Sequence, residues 1–148
     1  MESGDEEAME TQESVIDWIS SLPTEILHNI LSLVHLRSVV RMRRLSKRWR
    51  QVCESLQFIC LSDEEFRTWT AAKFTRFVNN LLLLRAKVDL HMFQLHWFHK
   101  NRHHSLNCND VMMWIAYAVK HNVKVLDLDL NYYNRAFLPH CIFNCPSL

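Results

Sequence analysis

Two stretches of the chain decide its fold: Asp17-Trp-Ile-Ser-Ser-Leu-Pro-Thr-Glu-Ile-Leu-His-Asn-Ile-Leu-Ser-Leu33 and, after a short gap, Leu45-Ser-Lys-Arg-Trp-Arg50. In the first stretch, apolar side chains recur every three or four residues, the spacing that brings them to one broad face of a helix. Pro23 suits a helix start, and Glu25 lies near the positive end of the helix dipole. This pattern predicts a short helix over about 24–34.

The residues that follow predict two further short helices. Apolar side chains at Leu36, Val39, Val40 and Met42 favour a second helix. Ser46 is a typical N-cap for a third, whose apolar side chains are Trp49, Val52, Cys53 and Leu56. Three helices are therefore predicted within some 40 residues.

A unit of this size cannot easily stand alone. Helices of about ten residues are only marginally stable in isolation. A domain of about 40 residues rarely forms a stable hydrophobic core without a disulfide, a bound metal or a partner chain. Four neighbouring apolar side chains cover too wide an arc of the helix surface for all of them to pack against the other two helices. They are Ile26, Leu27, Ile30 and Leu31. Each such side chain left in water forgoes roughly 1.5 to 3 kcal/mol of burial. We therefore expect an apolar patch that a protein partner covers.

Together the two stretches resemble the F-box, in which Asp-x-Ile-Ser-x-Leu-Pro-Asp-Glu-Ile-Leu opens the module and Ser-Lys-Arg-Trp-Arg closes it. The resemblance covers about 17–56. It implies a three-helix module that docks on the Skp-type adaptor, and through it the cullin, of an SCF (cullin-RING) ubiquitin ligase. By the resemblance, the positions that build the module or meet the adaptor, here called the adaptor-binding set, are Leu22, Pro23, Ile26, Leu27, Ile30, Leu31, Val39, Val40, Leu45 and Trp49.

Two departures from the family pattern alter its charge. Thr24 replaces the usual Asp, which removes a helix-start charge worth about 0.3 to 1 kcal/mol. Arg41-Met-Arg-Arg44 is more basic than the family's usual small or hydroxylated residues. Here it joins an acid-free stretch, 37–50, with seven Lys and Arg residues. We expect these arginines to lie on the solvent side of the second helix.

The rest of the chain alternates helix and strand patterns. Ser62-Asp-Glu-Glu65 has the form of a capping box before a helix over about 70–84. A strand is predicted over 88–95, and Asn107 to Asp110 offer caps for a helix to about His121. From Val123 the spacing of leucines and Asn131 matches a leucine-rich-repeat strand, and Leu148 lies 25 residues further on, within the repeat period of that class.

These later patterns resemble the first repeats of plant-type F-box/leucine-rich-repeat proteins, which often end in an FBD region. The predicted fold class is mainly α, with a three-helix F-box followed by the start of an α/β leucine-rich-repeat solenoid. The predicted organisation is a disordered acidic leader (1–16), the F-box (17–56) and an incomplete repeat region (57–148). A leucine-rich-repeat solenoid needs about three or more stacked repeats to be stable. We therefore expect this chain to be a truncated product or a fragment, with few repeats available to recognise a substrate.

Composition excludes several functional classes. With one glycine, Gly4, among 148 residues, the chain cannot form a glycine-rich phosphate loop. Its longest aliphatic run, Leu81 to Leu84, is far shorter than the roughly 20 residues of a membrane helix, and no membrane association is predicted. Seven acids and no Lys or Arg in 1–17 exclude a signal peptide. The five cysteines fit free thiols, so the cytoplasm or nucleus is the expected compartment.

The sequence supports other functions less well than the adaptor role. Two groups of residues suggest a metal site: the histidines His91, His96, His99, His103 and His104, and the triplet His140, Cys141 and Cys145. The preferred interpretation is that the histidines lie in a solvated loop and that the cysteines pack as small apolar residues. Cys53 beside Arg50, and Cys108 near His103 and His104, are the candidates for a nucleophile, without a recognisable signature. We therefore predict no cofactor, no metal and no catalysis; the substrate is an unknown protein.

Two alternatives to substrate delivery stay open. The arginines of the second helix could bind nucleic acid, although the interleaved Val39, Val40 and Leu45 suit helix packing better than base stacking. A short chain could also act as a competitor that occupies the adaptor without delivering substrate.

Overall fold

The structure is a computed structural model that describes residues 19, 21–97, 106–130, 142 and 144–147. The predicted acidic leader lies outside the described residues, as do most of the histidine-rich segment and most of the predicted next repeat beyond position 130. Among the described helices, none has the length and apolar character needed to cross a bilayer.

The three predicted short helices are present. They are α1 (Thr24–Leu31), α2 (Leu36–Met42) and α3 (Lys47–Glu54). Pro23 is the N-cap residue of α1, and its carbonyl accepts hydrogen bonds from the backbone of Ile26 and Leu27. Ser46 caps α3, as predicted, by accepting a hydrogen bond from the Trp49 backbone N–H at 3.2 Å. The predicted end of α1 at Val34 was wrong, because a turn follows Leu31.

A parallel sheet and two longer helices follow. The elements are β1 (Phe58–Ser62), α4 (Ala71–Leu84), β2 (Met92–Trp97), α5 (Cys108–Lys120) and β3 (Val125–Leu130). The strands lie in chain order, β1-β2-β3, and each neighbouring pair is parallel. The aligned positions Phe58, Met92 and Val125 are 34 and 33 residues apart, longer than the 20 to 29 residues expected from the repeat template.

The predicted boundaries of this region need three corrections. Strand β1 was missed altogether, because five residues between two helix patterns give a weak signal. The strand predicted over 88–95 begins four residues later, where buried and half-buried side chains alternate strictly from Met92 to Trp97. The capping box was wrong: Ser62 ends β1, and the carboxylate of Glu65 accepts a hydrogen bond from the backbone N–H of Arg37.

The two longer helices are capped by side chains. Thr70 begins α4 by accepting from the Lys73 backbone N–H, and Asn107 begins α5 by accepting from the backbone of Asn109. The predictions of these two helices are confirmed to within a residue or two. After α5, Asn122 adopts φ 52°, the left-handed conformation that commonly ends a helix and that asparagine tolerates in a chain so poor in glycine.

One hydrophobic core runs from the three short helices into the sheet. Leu27, Val39 and Val52 of the helices belong to the same buried cluster as Ile59 and Leu61 of β1. The seam between α2 and β1 leaves a gap of only about 20 Å³, lined by residues that include Leu36 and Phe58. Part of the apolar surface that the sequence predicted for a partner is therefore covered by the chain itself.

The aromatic side chains of α4 join the two helices to the sheet. Phe74 stacks on Trp97 of β2 with centroids 4.2 Å apart, and it meets Phe66 and Trp114 edge-on at 5.0 and 5.9 Å. The indole N–H of Trp114 donates to the Asn79 side chain at 2.7 Å. These contacts fix α4 and α5 against each other.

A buried arginine holds three connections together. Arg85, 8% exposed at the end of α4, donates to the carbonyl of Leu56 at 2.9 Å and to the carbonyl of Asp89 at 3.0 Å. A third guanidinium nitrogen lies 3.4 Å from the hydroxyl of Tyr117. Because a buried carbonyl without a donor is costly, the guanidinium stabilises the segments before β1 and β2.

We expect Arg85→Leu to lower the free energy of unfolding by at least about 2 kcal/mol, since the buried carbonyl of Leu56 and the partly buried carbonyl of Asp89 would lose a charged donor. Arg76→Leu, an exposed change on α4, is the matched control and should change it by less than about 0.5 kcal/mol. Urea unfolding followed by circular dichroism measures both. Equal losses in the two variants would contradict the bridging role of Arg85.

Candidate functional site

Helix α1 presents two different apolar stripes. Leu27 and Leu31, four residues apart, are 1% and 4% exposed and face the core. Ile26 and Ile30 occupy the neighbouring stripe, and each is 46% exposed. The helix therefore buries one stripe internally and leaves the other in solvent.

The structure divides the adaptor-binding set by burial. Its core members, which build the module, are Leu27, Leu31, Val39 and Trp49. Its half-buried members are Leu22 and Val40, and its exposed members are Pro23, Ile26, Ile30 and Leu45. The core members are packed inside the chain, so direct contact with a partner stays a prediction for the other six.

The segment before α1 is held in place by α3. A guanidinium N–H of Arg48 donates to the carbonyl of Leu22 at 3.2 Å. His28 is 7% exposed, and its Nε2 lies 3.2 Å from both the Val52 carbonyl and the Ser55 hydroxyl. These bonds fix the Leu22-Pro23 turn and α1 against α3, which orients the exposed stripe.

Two exposed apolar residues of this region were missed by the sequence interpretation. Leu33, in the turn after α1, is 89% exposed, and Ile19, before it, is 42% exposed. The sequence pattern predicts that Leu33 lies within a longer helix, so its exposed position in a turn could not be predicted. We call Ile19, Ile26, Ile30, Leu33 and Leu45 the exposed apolar set of the module.

Comparison with known proteins agrees with this geometry. Residues 19–61 match the F-box domain family. An F-box/FBD/LRR-repeat protein of Arabidopsis thaliana is 30% identical over 138 residues, which cover 89% of this chain and 31% of that protein. An F-box/LRR-repeat protein of the same plant is 35% identical over 118 residues, covering 77% of this chain and 22% of that protein.

This chain carries an F-box domain. Over most of its length it is similar to plant F-box/leucine-rich-repeat proteins. The chain spans between about a fifth and a third of the length of the curated relatives it matches. No solved structure matches it. F-box domains generally bind Skp-type adaptors of SCF ubiquitin ligases, and the members of this family are generally non-catalytic.

The F-box arginines are placed largely as predicted. Arg41 and Arg44 are exposed. Arg43 is half-buried and forms a 2.9 Å ion pair with Glu54 of α3. The aliphatic neighbours Val39 and Val40 pack inward or lie half-buried, which suits helix packing, as predicted.

One of the two nucleophile candidates, Cys53, is poorly suited to catalysis. Burial raises the pKa of the Cys53 thiol to about 11, and its sulfur lies 3.2 Å from the Val39 carbonyl. The thiol is therefore protonated at neutral pH and inert. Cys108 is half-buried, and its predicted partners His103 and His104 lie outside the described residues.

The open face of the sheet brings polar residues together that the sequence did not link. Cys60, Gln94 and Asp127 are aligned across the three strands. The carboxylate of Asp127 accepts from Gln94 at 2.7 Å and lies 2.9 Å from Nε2 of His96. The Gln94 hydrogen bond lowers the pKa of Asp127, whereas burial, with Asp127 and Glu65 nearby, raises the pKa of Cys60. The row therefore forms a polar strip across the three strands, and its thiol is protonated at neutral pH.

The part of the chain that the structure describes holds no group of three or more potential metal ligands. The segment with His99, His103 and His104 and the pair His140 and Cys141 lie outside it.

We expect the chain to lose stability as the pH falls below about 6.5, partly through His121. Burial, and then the positive charge of Arg85, lower the pKa of His121 from its ordinary value of 6.5. The unfolded chain therefore binds a proton there at a higher pH than the folded chain does, so stability falls as the pH drops through that window.

Urea unfolding at pH 7.5 and pH 5.5 measures this effect in the native chain and in His121→Gln. The variant should lose less stability between the two pH values. Equal losses would show that His121 is not linked to folding.

Proposed function

We propose that the chain docks on a Skp-type adaptor of an SCF ubiquitin ligase through the exposed apolar set of its F-box. The observation that carries this proposal is the exposed stripe of Ile26 and Ile30 beside the buried stripe of Leu27 and Leu31. An exposed pair of β-branched side chains, on a helix whose opposite stripe is packed in the core, is typical of a protein interface. The F-box family match supports the identity of the partner.

We further propose that β1-α4-β2-α5-β3 begins a leucine-rich-repeat solenoid. Parallel strands in chain order, with a helix after β1 and another after β2, are the arrangement that stacked strand-helix repeats require. Two relatives that match most of the chain carry LRR-repeat in their names. The last described strand, β3, is less buried than β1 and β2, as expected of a strand beside which another repeat would stack.

The role that follows is delivery of a protein substrate to the ligase, with the chemistry performed by other subunits. The polar row of Cys60, Gln94 and Asp127 on the open sheet face is the surface that would begin substrate recognition. The cytoplasm and nucleus are the compartments where this role applies. We keep 17–56 as the docking module and 57–148 as the recognition region.

Capture of purified adaptor by the tagged chain tests the docking proposal. The expected result is a stoichiometric complex that also retains the cullin when both proteins are supplied, with no retention of the cullin alone. A well-folded chain that fails to capture the adaptor would overturn the proposal.

A further inference from the structure

A groove between α2 and α4 is lined by five arginines and three apolar or aromatic side chains. Its volume is about 560 Å³, which is within the range of small-ligand sites. The lining residues are Arg37, Val40, Arg41, Arg43, Arg44, Arg50, Trp69 and Phe77. Five guanidinium groups and no carboxylate therefore line one volume.

The charges of this arginine groove are only partly balanced by the protein. Glu54 pairs with Arg43 at 2.9 Å. The other nearby carboxylate, Glu65, accepts from the Arg37 backbone and lies 3.9 Å from His35. Among the described residues, no ion pair is formed by Arg41, Arg44 or Arg50. Since arginine stays protonated, these like charges repel one another unless an anion lies between them.

A second observation concerns Arg43, one of the five arginines that line the groove. The Nε of Arg43 is buried and has no hydrogen-bond partner among the described residues. A buried donor without an acceptor is uncommon and costly. Arg43, which lines the groove, is therefore not fully satisfied by the protein.

The aromatic floor of the groove favours a compact anion over a nucleic acid. The guanidinium of Arg37 lies 4.8 Å from the centroid of the Trp69 ring, and the ammonium of Lys73 lies 4.5 Å from it. Phe66 and Phe77 contact the same ring at 5.1 and 5.5 Å. Because the indole already carries these neighbours, it is a poor platform for base stacking.

We propose that the arginine groove binds a small anion carrying two or more phosphate groups. Guanidinium groups match phosphate oxygens with paired hydrogen bonds, and one phosphate cannot balance the four arginine charges left after Glu54 pairs with Arg43. Such a ligand would bridge α2 and α3, since Arg41 and Arg50 belong to these two helices. The groove shares Val40 with the adaptor-binding set but is not lined by Ile26 or Ile30, so its arginines can be tested apart from docking through that stripe.

Isothermal titration calorimetry of the full chain with tripolyphosphate, at fixed ionic strength, tests this proposal. We expect saturable binding to one site, and at least tenfold weaker binding of orthophosphate. Arg41→Gln with Arg50→Gln should weaken tripolyphosphate binding at least tenfold. Both side chains are exposed, so the fold should be unaffected.

The matched control is Arg67→Gln with Arg76→Gln, which removes the same two charges from exposed positions outside the groove and should change affinity less than threefold. Equal weakening in both double variants would show general charge attraction and overturn the site, as would absence of binding. A mixed-sequence single-stranded oligonucleotide that binds more tightly than tripolyphosphate, and depends on Arg41 and Arg50, would replace the proposal with a nucleic-acid surface.

Discussion

Replacing Ile26 and Ile30 together by alanine is expected to weaken adaptor binding by about 30-fold or more. Both side chains are 46% exposed on one stripe of α1, so a docked partner would bury them, and a central apolar contact of this kind contributes about 2 kcal/mol or more. Alanine is a better helix former than isoleucine, which means that α1 should stay intact. Surface plasmon resonance with immobilised adaptor measures the change.

The control for this experiment removes exposed apolar groups elsewhere. Leu83 of α4 and Met113 of α5 are 81% and 59% exposed, and Leu83→Ala with Met113→Ala should leave adaptor affinity within threefold of the native value. Circular dichroism should show native unfolding curves for both double variants. Native affinity in the Ile26/Ile30 variant, or equal loss in both variants, would refute docking through this stripe.

Phe74→Ala is expected to lower the free energy of unfolding by about 3 to 5 kcal/mol. The Phe74 ring is fully buried and contacts Trp97, Phe66 and Trp114, which come from three different parts of the chain. Removing it leaves a cavity and cancels the ring contacts at the same time. The unfolding midpoint should fall by roughly 10 °C.

Leu83→Ala is the matched control, because it shortens an exposed side chain on the same helix and should change stability by less than about 0.5 kcal/mol. Differential scanning calorimetry of both variants gives the comparison. A Phe74→Ala protein within 1 kcal/mol of the native protein would mean that the aromatic cluster does not hold α4 to the sheet.

Local patterns in the sequence were sufficient to predict the helices. Ser46 and Asn107 are capping residues whose partners lie within three positions, so their role can be read from neighbours alone. The division between Ile26 and Leu27 could not be predicted, because both are apolar and adjacent. Only the packing of α1 on α3 determines which of them is buried.

The features missed by sequence depend on contacts between distant residues. Glu65 was predicted as a helix cap, but its carboxylate binds the backbone of Arg37, 28 residues earlier. The arginine groove likewise combines α2 with Trp69 and Phe77, which follow β1. Charge along the sequence indicated a basic cluster, whereas its concave shape and aromatic floor arise from tertiary structure.

The shared core of the short helices and β1 has a mechanical consequence. A hinge between two parts of a chain needs a seam with few buried contacts, and here Leu36 and Val39 pack in one continuous cluster with Ile59 and Leu61. The sheet and α1 therefore move as one rigid unit. In the proposed complex, this unit would hold a bound substrate at a constant distance and angle from the ligase. Which lysine of the substrate the ligase can modify would then depend on the size and shape of the substrate.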